Sequence, residues 1–279
     1  MKRSMNIGGK EFERTGHTYV MGILNVTPDS FSDGGKYTTL DKALKHAEQM
    51  IQEGADIIDI GGESTRPGHT LISDEEEISR VVPVIEAVKQ QFDIPVSIDT
   101  YKSTVAQAAI LAGADLVNDV WGLKYDEKLA KVISGAKVPC CLMHNRKAAD
   151  YEHFMTDCLN DLRETLAIAR TAGIEDEQII LDPGVGFGKT YEHNLIVMKH
   201  LDVFRELGYP VLLGTSRKSM IGLTLDLPAD QRGEGTTVMG GMAGMNFVRV
   251  HDVEANRRAI QMAEAILKVR EESIWDTLG

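Results

Sequence analysis

The chain has 279 residues, of which 42 are acidic and 30 are basic, so its formal net charge is −12 at pH 7. An acidic chain of this kind repels polyanions, which argues against nucleic acid and anionic membrane surfaces as partners. No apolar run reaches the ~18 residues of a membrane span. The three cysteines include no CxxC pair and predict neither a disulfide framework nor a zinc site. We therefore expect a reducing, cytoplasmic setting.

The first residues predict a small hairpin. In MNIGGKEFER (5–14), Gly8 and Gly9 separate two short segments of mixed polar and apolar residues. A glycine pair in this position is typical of a tight β-turn. Such a hairpin is suited to cap the bottom of a barrel.

Eight short runs rich in Val, Ile and Leu follow, each ended by glycine or a polar residue. Their apolar residues are continuous rather than alternating, which predicts strands that are buried on both faces of a parallel sheet. The runs are 19–26, 56–62, 95–100, 115–122, 138–144, 178–184, 209–216 and 247–252.

Segments of helical periodicity separate these runs. Ser73 and Thr190 are predicted N-caps, and Gly54, Gly173 and Gly208 are predicted helix stops. The predicted helices are 41–54, 73–92, 102–114, 126–136, 150–173, 190–208 and 252–273. A further helix is expected between the last two strands, in the Gly/Met-rich segment 233–246, where the pattern is least legible.

Eight strand–helix alternations without a linker predict a single-domain (β/α)8 TIM barrel spanning 1–279, with a short N-terminal β-hairpin. The main structural alternative is an open doubly wound sheet, which normally has fewer strands.

Polar side chains stand at the ends of the predicted strands, where barrels place their chemistry. Asp99, Asn118 and Asp182 offer two carboxylates and an amide. These groups are suited to bind a planar heterocycle with N–H donors, such as a 2-aminopyrimidinone. Taken singly, each of these residues has an alternative, purely structural role, in which its side chain caps or stabilises its own loop.

A second group at the predicted strand ends is cationic. It comprises Arg66, Lys218, Arg249 and His251, the last two in the run Arg249-Val250-His251, with Arg217 as a weaker candidate. Several positive groups at one rim of an acidic protein predict an anion site, most simply for phosphate or diphosphate. For the segment Ser216-Arg217-Lys218, the alternative is a basic turn that is simply exposed to solvent.

The segment LDPGVGFGKT (181–190) resembles a nucleotide-binding loop but does not match it. The pattern requires glycine five positions before Gly188, where the chain has Pro183. We therefore expect Asp182 to be its functional residue, and Lys189 and Thr190 only to begin the next helix.

Other candidates are less specific. Asn25 is suited to Mg²⁺ together with phosphate oxygens, although a purely structural amide remains the alternative. His144 is interpreted as a hydrogen-bonded wall residue, and Cys140 and Cys141 as packing residues. The loops 25–39 and 61–72 are candidate lids.

Seven motifs in order resemble the dihydropteroate synthase family, the pterin-binding enzymes of folate biosynthesis. They are VMGILNVTPDSFSDGG, DIIDIGGESTRPG, SIDT, VNDVWG, LDPGVGFGKT, GTSRKSMIG and RVHD. The resemblance covers about 230 of the 279 residues. It implies a transferase in which p-aminobenzoate displaces diphosphate from 6-hydroxymethyl-7,8-dihydropterin diphosphate.

The resemblance also implies roles for individual residues. The pterin contacts would be Asp99, Asn118, Asp182 and Lys218, and the Mg²⁺–diphosphate contact would be Asn25. Thr65, Arg66, Arg249 and His251 match residues around the diphosphate. The wall near p-aminobenzoate, where sulfonamides also bind, would comprise Phe31, Pro67, Phe187 and Ser219.

The chemistry of these residues is compatible with a dissociative displacement. Mg²⁺ with Arg66, Arg249 and His251 would stabilise the departing diphosphate, and Asp99 would steady a cation-like methylene. Asp33 and Arg66 would help to close the site. The family resemblance also implies a homodimer.

Three alternatives remain at this point. A pterin-barrel methyltransferase would share the Asp/Asn group but would have no reason to keep the SRK and RVH motifs. A non-catalytic pterin-binding paralogue is disfavoured by the intact set Asn25, Arg66, Lys218 and His251. An unrelated phosphate-binding barrel would not explain the two full loop motifs.

Overall fold

The computed structural model describes residues 4–27, 36–63 and 71–269, and the first described residues form the predicted hairpin. Strands β1 (Ser4–Ile7) and β2 (Lys10–Glu13) pair antiparallel. Gly8 and Gly9 have φ of +58° and +84°, as a two-residue hairpin turn requires.

Eight parallel strands follow and form the barrel. They are β3 (Tyr19–Asn25), β4 (Ile57–Gly61), β5 (Val96–Asp99), β6 (Leu116–Asp119), β7 (Cys140–Met143), β8 (Ile179–Asp182), β9 (Leu212–Leu213) and β10 (Phe247–Val250). The order across the sheet is β8-β7-β6-β5-β4-β3-β10-β9. The barrel predicted from the sequence is therefore confirmed.

The barrel closes between β8 and the chain before β9. Leu181 forms a parallel bridge with Val211, and its N–H donates to the carbonyl of Pro210 at 2.9 Å. Strand β9 has two residues, although the apolar run predicted a strand over 209–216. Pro210 has no N–H to donate to a sheet, which is one reason why pairing at this seam is short.

Helices cover the outside of the barrel. They are α1 (Lys36–Gln52), α2 (Asp74–Gln91), α3 (Ser103–Leu111), α4 (Leu129–Ala136), α5 (Phe154–Ala172), α6 (Tyr191–Lys199), α7 (Leu201–Arg205), α8 (Ser219–Leu225), α9 (Gly233–Ala243) and α10 (Val253–Leu267). Both predicted N-caps are confirmed, because the side chains of Ser73 and Thr190 accept from the N–H groups of Glu76 and His193. The three predicted stop glycines all have positive φ.

One predicted helix is divided in the structure, and the helix with the least legible pattern is present. The helix expected over 190–208 is broken at His200 into α6 and α7, and Leu201 and Phe204 after the break are buried in the core. The Gly/Met-rich segment forms α9, a helix that its glycines disfavour by propensity. Tertiary packing supplies the reason: a Cβ on Gly235 would lie 2.5 Å from the side chain of Ile221 on α8.

Two apolar layers stabilise this arrangement. The outer layer lies between the strands and the helices. The inner layer lies at the bottom of the barrel, where Met5, Ile7 and Phe12 of the hairpin pack against side chains from the barrel interior. The hairpin thus caps the barrel bottom as predicted. In the part of the chain that the structure describes, no helix is both long and apolar enough to cross a membrane.

Candidate active site

The interior of the barrel changes from apolar to polar along its strands. Next to the hairpin lie four apolar side chains from alternate strands, namely Ile57, Leu116, Ile180 and Phe247. Side chains two positions further along a strand face the same way. Those residues are Asp59, Asn118, Asp182 and Arg249. Barrel layers are usually filled by branched apolar residues, so this polar layer marks the candidate site.

Salt bridges connect this layer to Asp99, the end residue of β5. Arg249 donates from Nε to Asp59 Oδ2 and from Nη2 to Asp99 Oδ2, each at 2.6 Å. Asn118 Nδ2 donates to Asp59 Oδ2 at 3.3 Å. We call Asp59, Asp99, Asn118, Asp182 and Arg249 the polar floor. A buried charge is tolerated only when it is paired, and Arg249 supplies that pairing for two carboxylates.

The electrostatics of the polar floor follow from burial and pairing. Burial raises the pKa of Asp99, and the Arg249 guanidinium opposes that shift. Burial alone would lower the pKa of Arg249, but the carboxylates of Asp59 and Asp99 outweigh it and raise the value. Burial also raises the pKa of Asp182, against the Gly184 N–H and the charge of Lys218. The site can therefore hold carboxyl groups poised to accept or share a proton.

Some acceptors of the polar floor are unused. Asp59 Oδ1 and Asp99 Oδ1 are buried and have no hydrogen-bond partner among the described residues. An unsatisfied buried acceptor costs roughly 1–3 kcal/mol. Asp182, by contrast, accepts from the Gly184 N–H through Oδ1 at 2.7 Å. A ligand with several N–H donors would satisfy the spare oxygens.

Asn25 lies at the end of β3, level with the upper edge of the polar floor. It pairs in register with Gly61, which pairs with Asp99. A Cβ on Gly61 would contact both Asp99 and Asn25 Oδ1, so the glycine leaves these two side chains close together. Within the described ranges, no cluster of three or more Asp, Glu, His or Cys side chains is able to hold a metal ion.

The predicted cationic group divides into different environments. Lys218 Nζ lies 4.0 Å from the ring centroid of Phe187. His251 is held by Ser216, whose Oγ accepts from the His251 N–H at 3.1 Å and lies 2.8 Å from Nδ1. Arg217 instead pairs with Asp252 at 2.7 Å. Arg249 does not stand at a separate cationic rim, because the polar floor holds it between two carboxylates.

An aromatic patch lies beside Lys218. Phe187 and Trp121 are partly buried and pack against a small apolar cluster of Tyr101, Val120 and Met143. This surface offers a flat apolar wall next to the polar floor. Phe187 was a candidate site residue from the sequence, whereas Trp121 appeared only within the motif VNDVWG and was given no role.

The loop after β4 is anchored by buried charges around Glu63. Glu63 Oε2 accepts from Lys102 Nζ at 2.7 Å and from the Ile72 N–H at 3.0 Å. Lys102 Nζ also lies 2.8 Å from Glu77 Oε2, and the Tyr101 hydroxyl donates to Glu63. These contacts fix both described ends of the segment 64–70.

The remaining predicted site residues have other positions. Phe31, Asp33, Thr65, Arg66 and Pro67 lie outside the described residues. Ser219 is exposed at the start of α8, and the buried side chain of Val250 belongs to the core between strands and helices. Only the backbone of Val250 is therefore placed to reach a ligand in the barrel mouth.

Asp59 is the main site residue that the sequence analysis missed. It lies inside the run DIIDIGG, which was interpreted as a continuous apolar strand. The available signal was the charge itself, because an ionisable residue within a doubly buried strand must have a buried partner.

The fold and this site define a small-molecule enzyme built on a (β/α)8 barrel, with its polar groups at the C-terminal mouth. A family model described as pterin binding enzyme matches residues 21–251. A dihydropteroate synthase from Clostridium beijerinckii is 61% identical over 95% of this chain and 100% of its own length. The chain belongs to the pterin-binding enzymes and, among them, to the dihydropteroate synthase family.

Solved structures agree with this assignment. A dihydropteroate synthase from Clostridium difficile, in the presence of pteroic acid, has a TM-score of 0.90 and 48% identity, covering 92% of this chain and 100% of that one. The enzyme from Xanthomonas albilineans with 4-aminobenzoic acid has a TM-score of 0.91 and 40% identity, covering 97% and 100%.

Proposed function

We propose that this chain condenses 6-hydroxymethyl-7,8-dihydropterin diphosphate with p-aminobenzoate to give 7,8-dihydropteroate and diphosphate. The bond between the pterin methylene and the diphosphate oxygen breaks, a bond to the amino nitrogen forms, and that nitrogen loses a proton. The observation that carries the proposal is the polar floor, whose carboxylates and spare oxygens suit the several N–H donors of a dihydropterin ring.

The pterin would lie on the polar floor. Asp182 would accept from the amino-pyrimidinone edge, and Asp99 and Asn118 would contact the opposite part of the ring system. Because these side chains come from rigid strands rather than loops, they would hold the ring in one orientation. Lys218 would approach the ring from the aromatic wall.

The diphosphate would leave toward the mouth. His251, oriented by Ser216, and Arg249 are suited to stabilise its charge, with Thr65 and Arg66 from the segment outside the described residues. We further propose a dissociative order of events, in which Asp99 steadies the cation-like methylene before the amine attacks. The wall for p-aminobenzoate would comprise Phe187 and Ser219, together with Phe31 and Pro67.

A Mg²⁺ ion fits the residues present. Asn25 supplies a neutral oxygen ligand beside Asp99, and the substrate would supply the others, as is usual for an ion that keeps few protein ligands. When bound, the ion would neutralise part of the diphosphate charge. Asp33 would act near this group.

The assembly and setting are further proposals. Exposed apolar side chains on α9 and α10, including Val238, Met262 and Ile266, support a homodimer. Three free and buried cysteines are compatible with the cytoplasm.

One assay tests the reaction. The purified protein is mixed with dihydropterin diphosphate, p-aminobenzoate and Mg²⁺, and diphosphate release is followed. Release that depends on p-aminobenzoate is expected, and its absence would contradict the proposed function. The dissociative order predicts exchange of labelled oxygen between bridging and non-bridging positions of the substrate diphosphate without p-aminobenzoate.

A further inference from the structure

Lys189, to which the sequence assigned no role beyond the start of a helix, has its amine directed into its own loop. Its Nζ lies 2.7 Å from His144 Nδ1, 2.9 Å from the Gly184 carbonyl and 3.1 Å from the Phe187 carbonyl. An ammonium has three protons. The three acceptors therefore use its full donor capacity.

The neighbouring groups keep this arrangement in place. His144 Nε2 lies 3.0 Å from Asp161 Oδ2, which assigns the ring proton to Nε2 and leaves Nδ1 as the acceptor. Burial lowers the pKa of His144 to about 3, so its ring is neutral at pH 7. Arg146 Nε also donates to Asp161, at 2.6 Å. Burial lowers the pKa of Lys189 to about 8, which leaves the amine mainly charged at pH 7.

The segment that Lys189 holds would otherwise have much conformational freedom. Residues 183–190 include Gly184, Gly186 and Gly188, all with positive φ. Besides the Lys189 contacts, the loop is bound by Asn194, whose Oδ1 accepts from the Gly186 N–H at 2.6 Å, and by the Tyr151 hydroxyl, which donates to the Gly188 carbonyl. Fixing such a segment in advance removes an entropic cost from ligand binding.

The loop carries Phe187, one of the two rings of the aromatic patch described above. Lys189 holds the carbonyl of Phe187 itself, and the Phe187 ring is the one that contacts Lys218. The side chains of the polar floor, by contrast, come from the barrel strands, and the loop reaches them through the Gly184 N–H that Asp182 accepts, not through the Gly184 carbonyl that Lys189 holds. A change at Lys189 would thus move the wall much more than the floor.

We propose that Lys189 is a positioning residue that fixes the Phe187 wall for the second substrate without touching either substrate. This inference rests on the proposed function, in which Phe187 borders p-aminobenzoate. It predicts a selective effect. Loss of the ammonium weakens the use of p-aminobenzoate while leaving pterin binding to the strands nearly unchanged.

The test compares Lys189→Met, which keeps a long side chain but removes all three donors, with Lys199→Met at an exposed position on α6. Steady-state kinetics should show KM for p-aminobenzoate raised on the order of tenfold in Lys189→Met, because a misplaced wall loses favourable geometry. KM for dihydropterin diphosphate should change less than about threefold on the same reasoning. Lys199→Met should match the parent protein in both.

A double-variant cycle separates positioning from general weakening. If Lys189 acts through Phe187, adding Lys189→Met to Phe187→Ala should cause no further rise in KM for p-aminobenzoate. A purely structural lysine would lower the thermal midpoint and affect both substrates alike, in either background. That result, or an unchanged KM for p-aminobenzoate in folded Lys189→Met, would overturn the inference.

Hydrogen–deuterium exchange provides a readout that needs no substrate. Amides of 184–190 should exchange faster in Lys189→Met than in Lys199→Met, while the barrel strands stay protected. Unchanged exchange in the loop contradicts the inference even if the parent protein lacked synthase activity, so the two failures are distinguishable. If Lys189→Met does not fold, His144→Leu removes one of the three acceptors and should give a smaller effect in the same direction.

Discussion

The close approach of the loops after β7 and β8 makes Gly184→Ala a quantitative test of the site architecture. Gly184 has φ of +69°, and a Cβ there would lie 1.9 Å from the His144 carbonyl oxygen. The left-handed conformation costs an alanine roughly 1–2 kcal/mol. Relieving the contact requires a backbone shift, for which overpacking costs of about 1–3 kcal/mol are typical. The expected loss is therefore about 2–5 kcal/mol of unfolding free energy.

Gly9→Ala is the matched control. Its φ is +84°, but no described atom lies within 4 Å of the Cβ position, so only the conformational cost of about 1–2 kcal/mol applies. Thermal and urea unfolding of both variants measure the difference. At roughly 2–4 °C per kcal/mol, Gly184→Ala should melt several degrees below Gly9→Ala. Affinity for the pterin diphosphate should fall only in Gly184→Ala, because the shift moves the N–H that Asp182 accepts. Equal melting points and equal affinities would refute the reasoning.

Four further outcomes are expected. Lys218→Ala and Asp182→Ala should abolish calorimetric binding of the pterin diphosphate while keeping a cooperative melt; a collapsed fold would show instead that both residues are structural. Asp59→Asn removes a carboxylate that pairs with Arg249. Because a charge-assisted hydrogen bond is weakened, kcat/KM should fall by roughly 10- to 100-fold. Unchanged kinetics would argue against the role of Asp59 in the polar floor. Burial lowers the pKa of His144 to about 3 in the folded state, against about 6.5 in the unfolded chain, so stability falls as pH drops below 6.5. Between pH 6.5 and 5 the parent should lose roughly 1.5 kcal/mol more than His144→Leu in urea titrations, and parallel curves would contradict this. Removing Mg²⁺ with a chelator should stop turnover, and Asn25→Ala should raise the Mg²⁺ concentration needed to restore it; identical Mg²⁺ titrations would exclude Asn25 as the ligand.

The fold could be predicted from the sequence because its signals are local. Each barrel strand is a short apolar run, and each cap or stop residue acts within one turn of its helix. The helix α9 was expected between the last two strands but was hard to recognise, because its glycines disfavour a helix and serve a tertiary contact with α8. The short β9 escaped prediction because an apolar run does not show where a proline interrupts pairing.

The candidate site was predictable only in part. Asp99, Asn118 and Asp182 stand at strand ends, so their convergence follows from barrel geometry alone. The place of Arg249 did not follow, because its partner Asp59 is 190 positions away in the chain. The direction of the Lys189 amine did not follow either, since a sequence does not show that a lysine side chain turns back to its own loop.

The hairpin beneath the barrel limits the path by which substrates enter and products leave. Among the described residues, Met5, Ile7 and Phe12 pack into the lower end of the barrel, so a ligand on the polar floor would enter from the opposite end, where the strands end. A pterin ring on the polar floor would bind or dissociate only while the space between it and the mouth is unoccupied. In the proposed arrangement, the pterin would therefore bind before p-aminobenzoate, and both products would leave through the same end of the barrel.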